Sequence, residues 1–240
     1  NGPDDGLIHE PGDVAVRVTP AGLIVVDDKY PENVADVLAS IKTVTSQPIK
    51  YLLNSHHHGD HASGNANIRE MGIDIIAHKN IRENFLRIKQ PGEPNITFAD
   101  QGAVYLGGVE VQLFYLGRGH TDTDVVVYLP RERIVATGDL MESVLSYMGD
   151  SYPEEWIATL EKLKGLDFDT VLPGHGVPFK GKERITAFQN YLRDLIAQSA
   201  ALRRQGLSAE DAAAKIDLTT HATMFPQIRA VGVDAAITRR

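Results

Sequence analysis

Residues Asn54-Ser55-His56-His57-His58-Gly59-Asp60-His61 decide how this chain is read. Nine histidines in 240 residues put about 0.2 of a histidine in an average six-residue window, yet His56–His61 holds four and an aspartate. An affinity tag would be terminal and would not follow an apolar, strand-like stretch such as Ile49–Asn54. A merely exposed histidine cluster would need neither the glycine nor the carboxylate. His56 and His58 lie two apart directly after that stretch, so extended backbone puts them on one face and turns His57 away. Gly59 permits a sharp turn, which brings Asp60 and His61 round towards the first pair. Imidazole nitrogen and carboxylate oxygen are the ligands of a borderline divalent ion such as zinc, at roughly 2.0–2.2 Å. Four such groups in one loop crowd a single ion, whereas two ions ~3.5–4 Å apart accommodate them and leave room for substrate.

Each ion then needs further ligands, and three later loops offer them: His120 in Gly119-His120-Thr121, Asp139 in Gly138-Asp139 and His175 in Gly174-His175-Gly176. Each follows a predicted strand and has glycine beside it, which lets backbone approach a ligand closely. The first half of the chain reads as strands Val14–Val18, Leu23–Val26, Tyr51–Asn54 and Ile73–Ala77, with helices over Pro31–Val44, Ala66–Met71 and Asn80–Ile88. Strands Val104–Leu106, Val109–Leu116, Val125–Leu129 and Ile134–Thr137 follow, with Gly107-Gly108 as a hairpin turn. Next come a helix over Pro153–Lys164, a strand at Thr170–Leu172, a long helix over Glu183–Arg204 and a short helix over Ser208–Ile216 capped by Ser208. Two strand-rich halves, each followed by helices, suggest two stacked sheets with helices outside; periodicity alone is equally compatible with one doubly wound sheet.

Composition narrows the functions. With 24 Lys+Arg against 32 Asp+Glu the formal net charge is −8, which argues against a nucleic-acid partner. Zero cysteines exclude disulfides, thiolate metal sites and a cysteine nucleophile. No apolar run approaches the ~18 residues of a membrane span. The chain opens on Asn1 rather than Met, which suits a periplasmic or secreted protein after leader removal and also a cytoplasmic one.

Taken in this order, the motifs resemble the metallo-β-lactamase superfamily: its HxHxDH signature stands at His56–His61, and its later GH, GD and GHG loops at His120, Asp139 and His175. The resemblance runs from about Val14 to Phe179. It implies an α+β fold, the four-layer αββα sandwich, with the active site at one edge of the two sheets. The expected organisation is one such domain over 1–240, with an N-terminal tail at 1–12 and C-terminal helices over about 183–240. By this resemblance His56, His58 and His120 hold the first metal, Asp60, His61 and His175 the second, and Asp139 bridges both. Asp27 would orient a ligand histidine. The implied cofactors are two zinc ions, with iron or manganese as the other candidates.

The resemblance has one departure. The best-known dizinc β-lactamases carry cysteine where Asp139 stands, and an aspartate there looks more like the wider hydrolase branches, including lactonases and glyoxalase II-type thioesterases. The implied function is a dinuclear zinc hydrolase that cleaves a small amide- or ester-type bond with a metal-bound hydroxide, with weak β-lactamase activity. Asp60 would orient the hydroxide and take its proton, as the catalytic residue. About +4 from two ions against about −3 from Asp60, Asp139 and hydroxide leaves a locally cationic site, suited to a small anionic substrate. An iron-dependent oxidoreductase on the same fold and a non-catalytic metal protein are the other readings; oligomeric state is left open.

Beyond the signature, His57, Tyr147 and Met148 are candidate substrate contacts. The last two sit in the Leu140–Tyr152 segment, which would form an apolar wall. The Pro- and Gly-bearing stretch Gln90–Gln101 is a candidate flap over the same face. Arg118 is a candidate carboxylate partner. His9, His78 and His221 read as ordinary histidines, and Trp156, with Ile157 and Leu160, as helix packing.

Overall fold

A computed structural model describes residues 12–234. Its first sheet holds β1 (Ala15–Thr19), β2 (Gly22–Val26), β3 (Ile49–Leu53), β4 (Asp74–His78) and β5 (Ile96–Phe98), side by side in that order. The β1–β2 pair is antiparallel and the other three pairs are parallel. The second sheet holds β6 (Gln101–Leu106), β7 (Val109–Phe114), β8 (Val126–Leu129), β9 (Ile134–Gly138), β10 (Thr170–Pro173) and β11 (Phe179–Lys180). Its spatial order is β11-β10-β9-β8-β7-β6, with only β9 and β10 parallel. The helices are α1 (Val34–Val44), α2 (Gly59–Ala62), α3 (Asn65–Glu70), α4 (Lys79–Ile88), α5 (Pro153–Lys164), α6 (Glu183–Arg204) and α7 (Ala209–Ala213).

The period-two alternation of strands sorts side chains into three layers of core. From the first sheet Ile24, Val26, Leu53 and Ile76 turn inward against Val111, Leu113, Val127 and Leu129 of the second. Their neighbours Leu23, Val25, Leu52 and Ile75 turn outward and pack with Val34 and Ile41 of α1 and Ile68 of α3. On the far side Val126, Tyr128, Val135 and Val171 meet Trp156, Leu160, Phe188 and Leu192 from α5 and α6. Strands buried on both faces read as continuous apolar runs, which is why β2 is buried at all five positions. The result is the helix–sheet–sheet–helix sandwich; the doubly wound alternative is excluded because the strands divide into two sheets.

Helix ends follow local chemistry. Pro31 opens a single 3₁₀ turn before α1, and Pro153 occupies the first turn of α5 with Glu154 and Glu155 at its positive end. The Ser208 hydroxyl accepts from the Asp211 N–H at 3.1 Å and starts α7, which ends at Ala213 rather than Ile216.

One expectation is corrected. The stretch Gln90–Gln101 contains edge strand β5 instead of forming a flap: Asn95 Oδ1 accepts from the Ile75 N–H at 2.8 Å, and Arg82 holds the Pro94 carbonyl at 2.6 Å. Gly12, the last residue of the tail expected over 1–12, is buried against the His61 ring, and the Asp13 N–H donates to the Gly174 carbonyl at 2.7 Å. Residues 1–11, His9 among them, lie outside the described residues. No described helix is long and apolar enough to cross a membrane.

Candidate metal centre

Five loops leave strand ends at one edge of the sandwich: those after β2 (Asp27), β3 (His56–His61), β7 (His120), β9 (Asp139) and β10 (His175). The structure brings all seven proposed ligands together there. His56, His58, His120 and Asp139 present ligand atoms within 4.8 Å of one another, and Asp60, His61 and His175 form a second such group. Asp139 touches both: its Oδ2 lies 3.3 Å from His120 Nε2 and 3.6 Å from His56 Nε2, while its Oδ1 lies 3.1 Å from His61 Nε2. Asp60 Oδ2 sits 3.0 Å from His175 Nε2.

The loop is pinned from behind by Asp27. This residue stands in the left-handed region at φ 65°, which aims its carboxylate back under the His56–His61 loop. Asp27 Oδ1 accepts from the Ser55 N–H at 2.7 Å; Oδ2 accepts from the Ser55 hydroxyl at 2.7 Å and from His61 Nδ1 at 2.8 Å. The Ser55 oxygen lies 3.1 Å from His56 Nδ1, so one carboxylate backs a histidine in each group. A carboxylate partner on one ring nitrogen leaves the other nitrogen's lone pair facing the cluster. Glycine makes the remaining room. A Cβ on Gly174 would overlap Asp139 Oδ1, and Gly138, at φ 51°, lies against the Ser55 side chain.

Electrostatics suit cation binding. Burial and the neighbouring histidines hold His56 well below its usual pKa, and burial brings His120 down to about 3, so both rings stay neutral. Burial would raise Asp139, but His61 and His120 pull it to about 2. Burial likewise opposes ionisation of Asp60, yet His175 and His61 hold it well below the carboxylate range. His56 Nε2 is buried with no hydrogen-bond partner, and two pairs of ring nitrogens face each other, His58 Nδ1 with His120 Nε2 at 2.9 Å and His61 Nε2 with His175 Nε2 at 3.3 Å. An orphaned buried nitrogen costs about 1–3 kcal/mol. Ring nitrogens and carboxylate oxygens that converge in this way fit divalent cations.

The other expected residues divide. His57 turns away from the cluster as the strand phase requires; its N–H and ring Nδ1 both meet Thr123 Oγ1, at 3.2 and 3.0 Å. Tyr147 is exposed with its ring 6.3 Å from that of His58, in place to line the mouth. Met148 is corrected: it is only 3% exposed and belongs to the core under α5 and α6, because the loop folds it inward. Arg118 is engaged, pairing with Glu155 at 3.3 Å and lying over the Tyr152 ring at 4.9 Å. Trp156 is fully buried, as packing predicts, and donates to the Leu140 carbonyl at 2.9 Å. His78 is a buried cap of α4 stacked on Tyr115, and His221 pairs with Asp194 at 3.2 Å.

Three residues escape the sequence reading. Ser55 relays Asp27 to His56. Asp124 takes the Thr121 N–H at 3.1 Å and the Thr121 hydroxyl, fixing the turn that carries His120. Asp150 reaches His58 from 92 residues away. The Thr121-to-Asp124 spacing is a local turn signal that could have been read; nothing local marks Asp150.

The sequence profile of the metallo-β-lactamase superfamily matches residues 22–175, and the chain belongs to that superfamily. At the level of class it is a metal-dependent hydrolase with a clustered His/Asp metal-binding site. A type 2 metallo-β-lactamase of Bacillus cereus is 28% identical over 174 residues, covering 69% of this chain and 67% of that protein. A linear primary-alkylsulfatase of Pseudomonas sp. (strain ATCC 19151) is 24% identical over 260 residues, covering 84% of this chain, which spans about half (49%) of that longer protein. Among solved structures, a metallo-β-lactamase from Pontibacter korlensis superposes with TM-score 0.68 and 25% identity over 74% of this chain and 85% of its own. The DIM-1 metallo-β-lactamase gives 0.68 at 19% identity, over 76% and 86%, a likeness of fold.

Proposed function

We propose that this protein is a dinuclear zinc hydrolase acting on an amide-, ester- or thioester-type bond of a small anionic substrate. The observation that carries the reading is the convergence of seven side chains into two ligand groups joined by Asp139. His56, His58 and His120 would hold one ion, Asp60, His61 and His175 the other, with Asp139 between; iron or manganese are the alternative occupants. Bound there, such a pair supplies Lewis-acid polarisation of the scissile group and a water acidic enough to lose its proton near neutral pH.

The chain supplies the rest. Asp60, whose Oδ2 lies 3.0 Å from His175 Nε2 and 3.4 Å from His61 Nε2, would orient the attacking group. The buried floor of His56, His61 and His120 excludes water from below, which strengthens charge interactions inside the site. Tyr147 offers apolar surface at the mouth. Arg118, the cation expected to meet a substrate carboxylate, pairs with Glu155. The attraction for an anion therefore rests with the ions.

A sulfate ester is the second substrate reading, favoured by the match to an alkylsulfatase over 84% of the chain. The test is elemental analysis of protein purified without added metal, followed by a panel of β-lactams, lactones, thioesters and alkyl sulfates. The expected result is about two ions per chain and turnover of one ester or amide class. Protein that takes up no metal, or that is loaded and turns over none of them, overturns the reading.

A further inference from the structure

His58 faces two ways. Its Nδ1 points into the cluster, 2.9 Å from His120 Nε2, and its Nε2 points outward, 3.1 Å from Asp150 Oδ2. Asp150 lies in the segment between β9 and α5, on a turn held at both ends. The Met148 carbonyl accepts from the Ser151 N–H at 3.2 Å and the Ser151 hydroxyl at 2.8 Å, with the Met148 side chain in the core. Past Asp150, the Tyr152 N–H donates to the carbonyl of Gly119, the residue before His120. The turn that presents Asp150 is thus tied to the loop that presents His120.

We propose that Asp150 is a positioning residue for the first half of the cluster, an inference that rests on the dinuclear reading above. A neutral imidazole has one proton and two nitrogens, and a carboxylate against Nε2 keeps the proton there. Nδ1 is left with its lone pair towards the cation site and is made a better donor. Asp27 does this for His61 from inside the protein. Asp150 does it for His58 from the rim, where its side chain is 54% exposed. A His–Asp pair at the rim contributes little to stability, so the role is read in metal binding rather than in melting.

The test is stepwise titration of zinc against a chromophoric chelator, with cobalt(II) absorption as a second readout. It uses wild type, Asp150→Ala, Asp150→Asn and, as a surface-carboxylate control, Asp167→Ala. Outer partners of metal ligands change affinity by 10–100-fold. Water competes at Asp150, so the expected loss is about tenfold in one of the two affinities, with an altered cobalt spectrum and unchanged melting of the chelated protein. Asp150→Asn, which keeps the shape without the charge, should fall between, and decides the matter if the alanine variant does not fold. Wild type that binds two ions while Asp150→Ala binds both as tightly, with the same spectrum, overturns the role of Asp150 and leaves the dinuclear reading standing. Wild type that binds none overturns both.

Discussion

The two halves of the cluster are built differently. The half containing His56, His58 and His120 offers three imidazoles, two of them almost wholly buried, and its third ring leans on a carboxylate at the surface. The other half contains Asp60, His61 and His175, so it carries its own negative charge, and Asp60 and His175 are a fifth to a quarter exposed. Its histidine His61 is buried and backed from inside by Asp27. One half is closed and built of imidazoles, and the other is open and has a carboxylate of its own. Asp139 is common property: its Oδ1 lies against His61, and its Oδ2 against His120, His56 and His175.

That contrast can be broken most forcefully at Asp139. Asp139→Ala should lower metal content from about two ions to about one and cut turnover by more than the ~100-fold ceiling typical of outer partners. A variant that keeps both ions and full activity removes Asp139 from the centre. Next in size is Trp156→Ala, which empties a fully buried site beside His120, 5.7 Å between rings. It should cost about 3–5 kcal/mol in denaturant unfolding, and its residual metal defect should fall on the imidazole half.

The charge difference has a signature in pH. In chelated protein His56, His57 and His120 are depressed, chiefly by burial, with His57 at about 4 and His120 at about 3. The unfolded chain takes up protons that these sites refuse, so their contribution to stability should fall as pH drops from about 6.5 towards 4. Burial would lower His61 and His175 too, but Asp139 and Asp27 for the first and Asp60 for the second raise them. Their contribution is present below about 6.5 and is lost as pH rises above it. Buried Asp28, Asp124 and Glu142, raised chiefly by burial, contribute stability that is lost as pH rises from about 4, so they oppose the depressed histidines below about 6.5 and add to the loss above it. Stability should fall from about pH 6.5 towards 9 in denaturant unfolding; a rise over that range would contradict the assignment. The smallest effect is reserved for His57→Ala, which should alter rate far less than His58→Ala, because His57 faces Thr123. Equal losses would mean the strand phase at the signature is misread.

Much of this is legible in the sequence, for physical reasons that differ by residue. The seven clustered side chains sit on short loops between strongly apolar strands, so spacing, the neighbouring glycines and the family resemblance they carry pointed to them together. The strand period also oriented His57 correctly. Edge strand β5 was hidden because three residues with two exposed carry no alternation. Met148 was misassigned because a methionine in a loop reads the same whether it lines a mouth or plugs a core. Ser55 was visible but mute: a serine beside a histidine cluster acquires meaning only when Asp27 is seen beneath it. Asp150 depends wholly on tertiary placement.

Asp27 has one more consequence. Because it grips the near end of the histidine loop through Ser55 and the far end through His61, one carboxylate ties a histidine of each group to the same anchor. Losing it would slacken both halves together, whereas the supports from Asp124 and Asp150 serve one half alone.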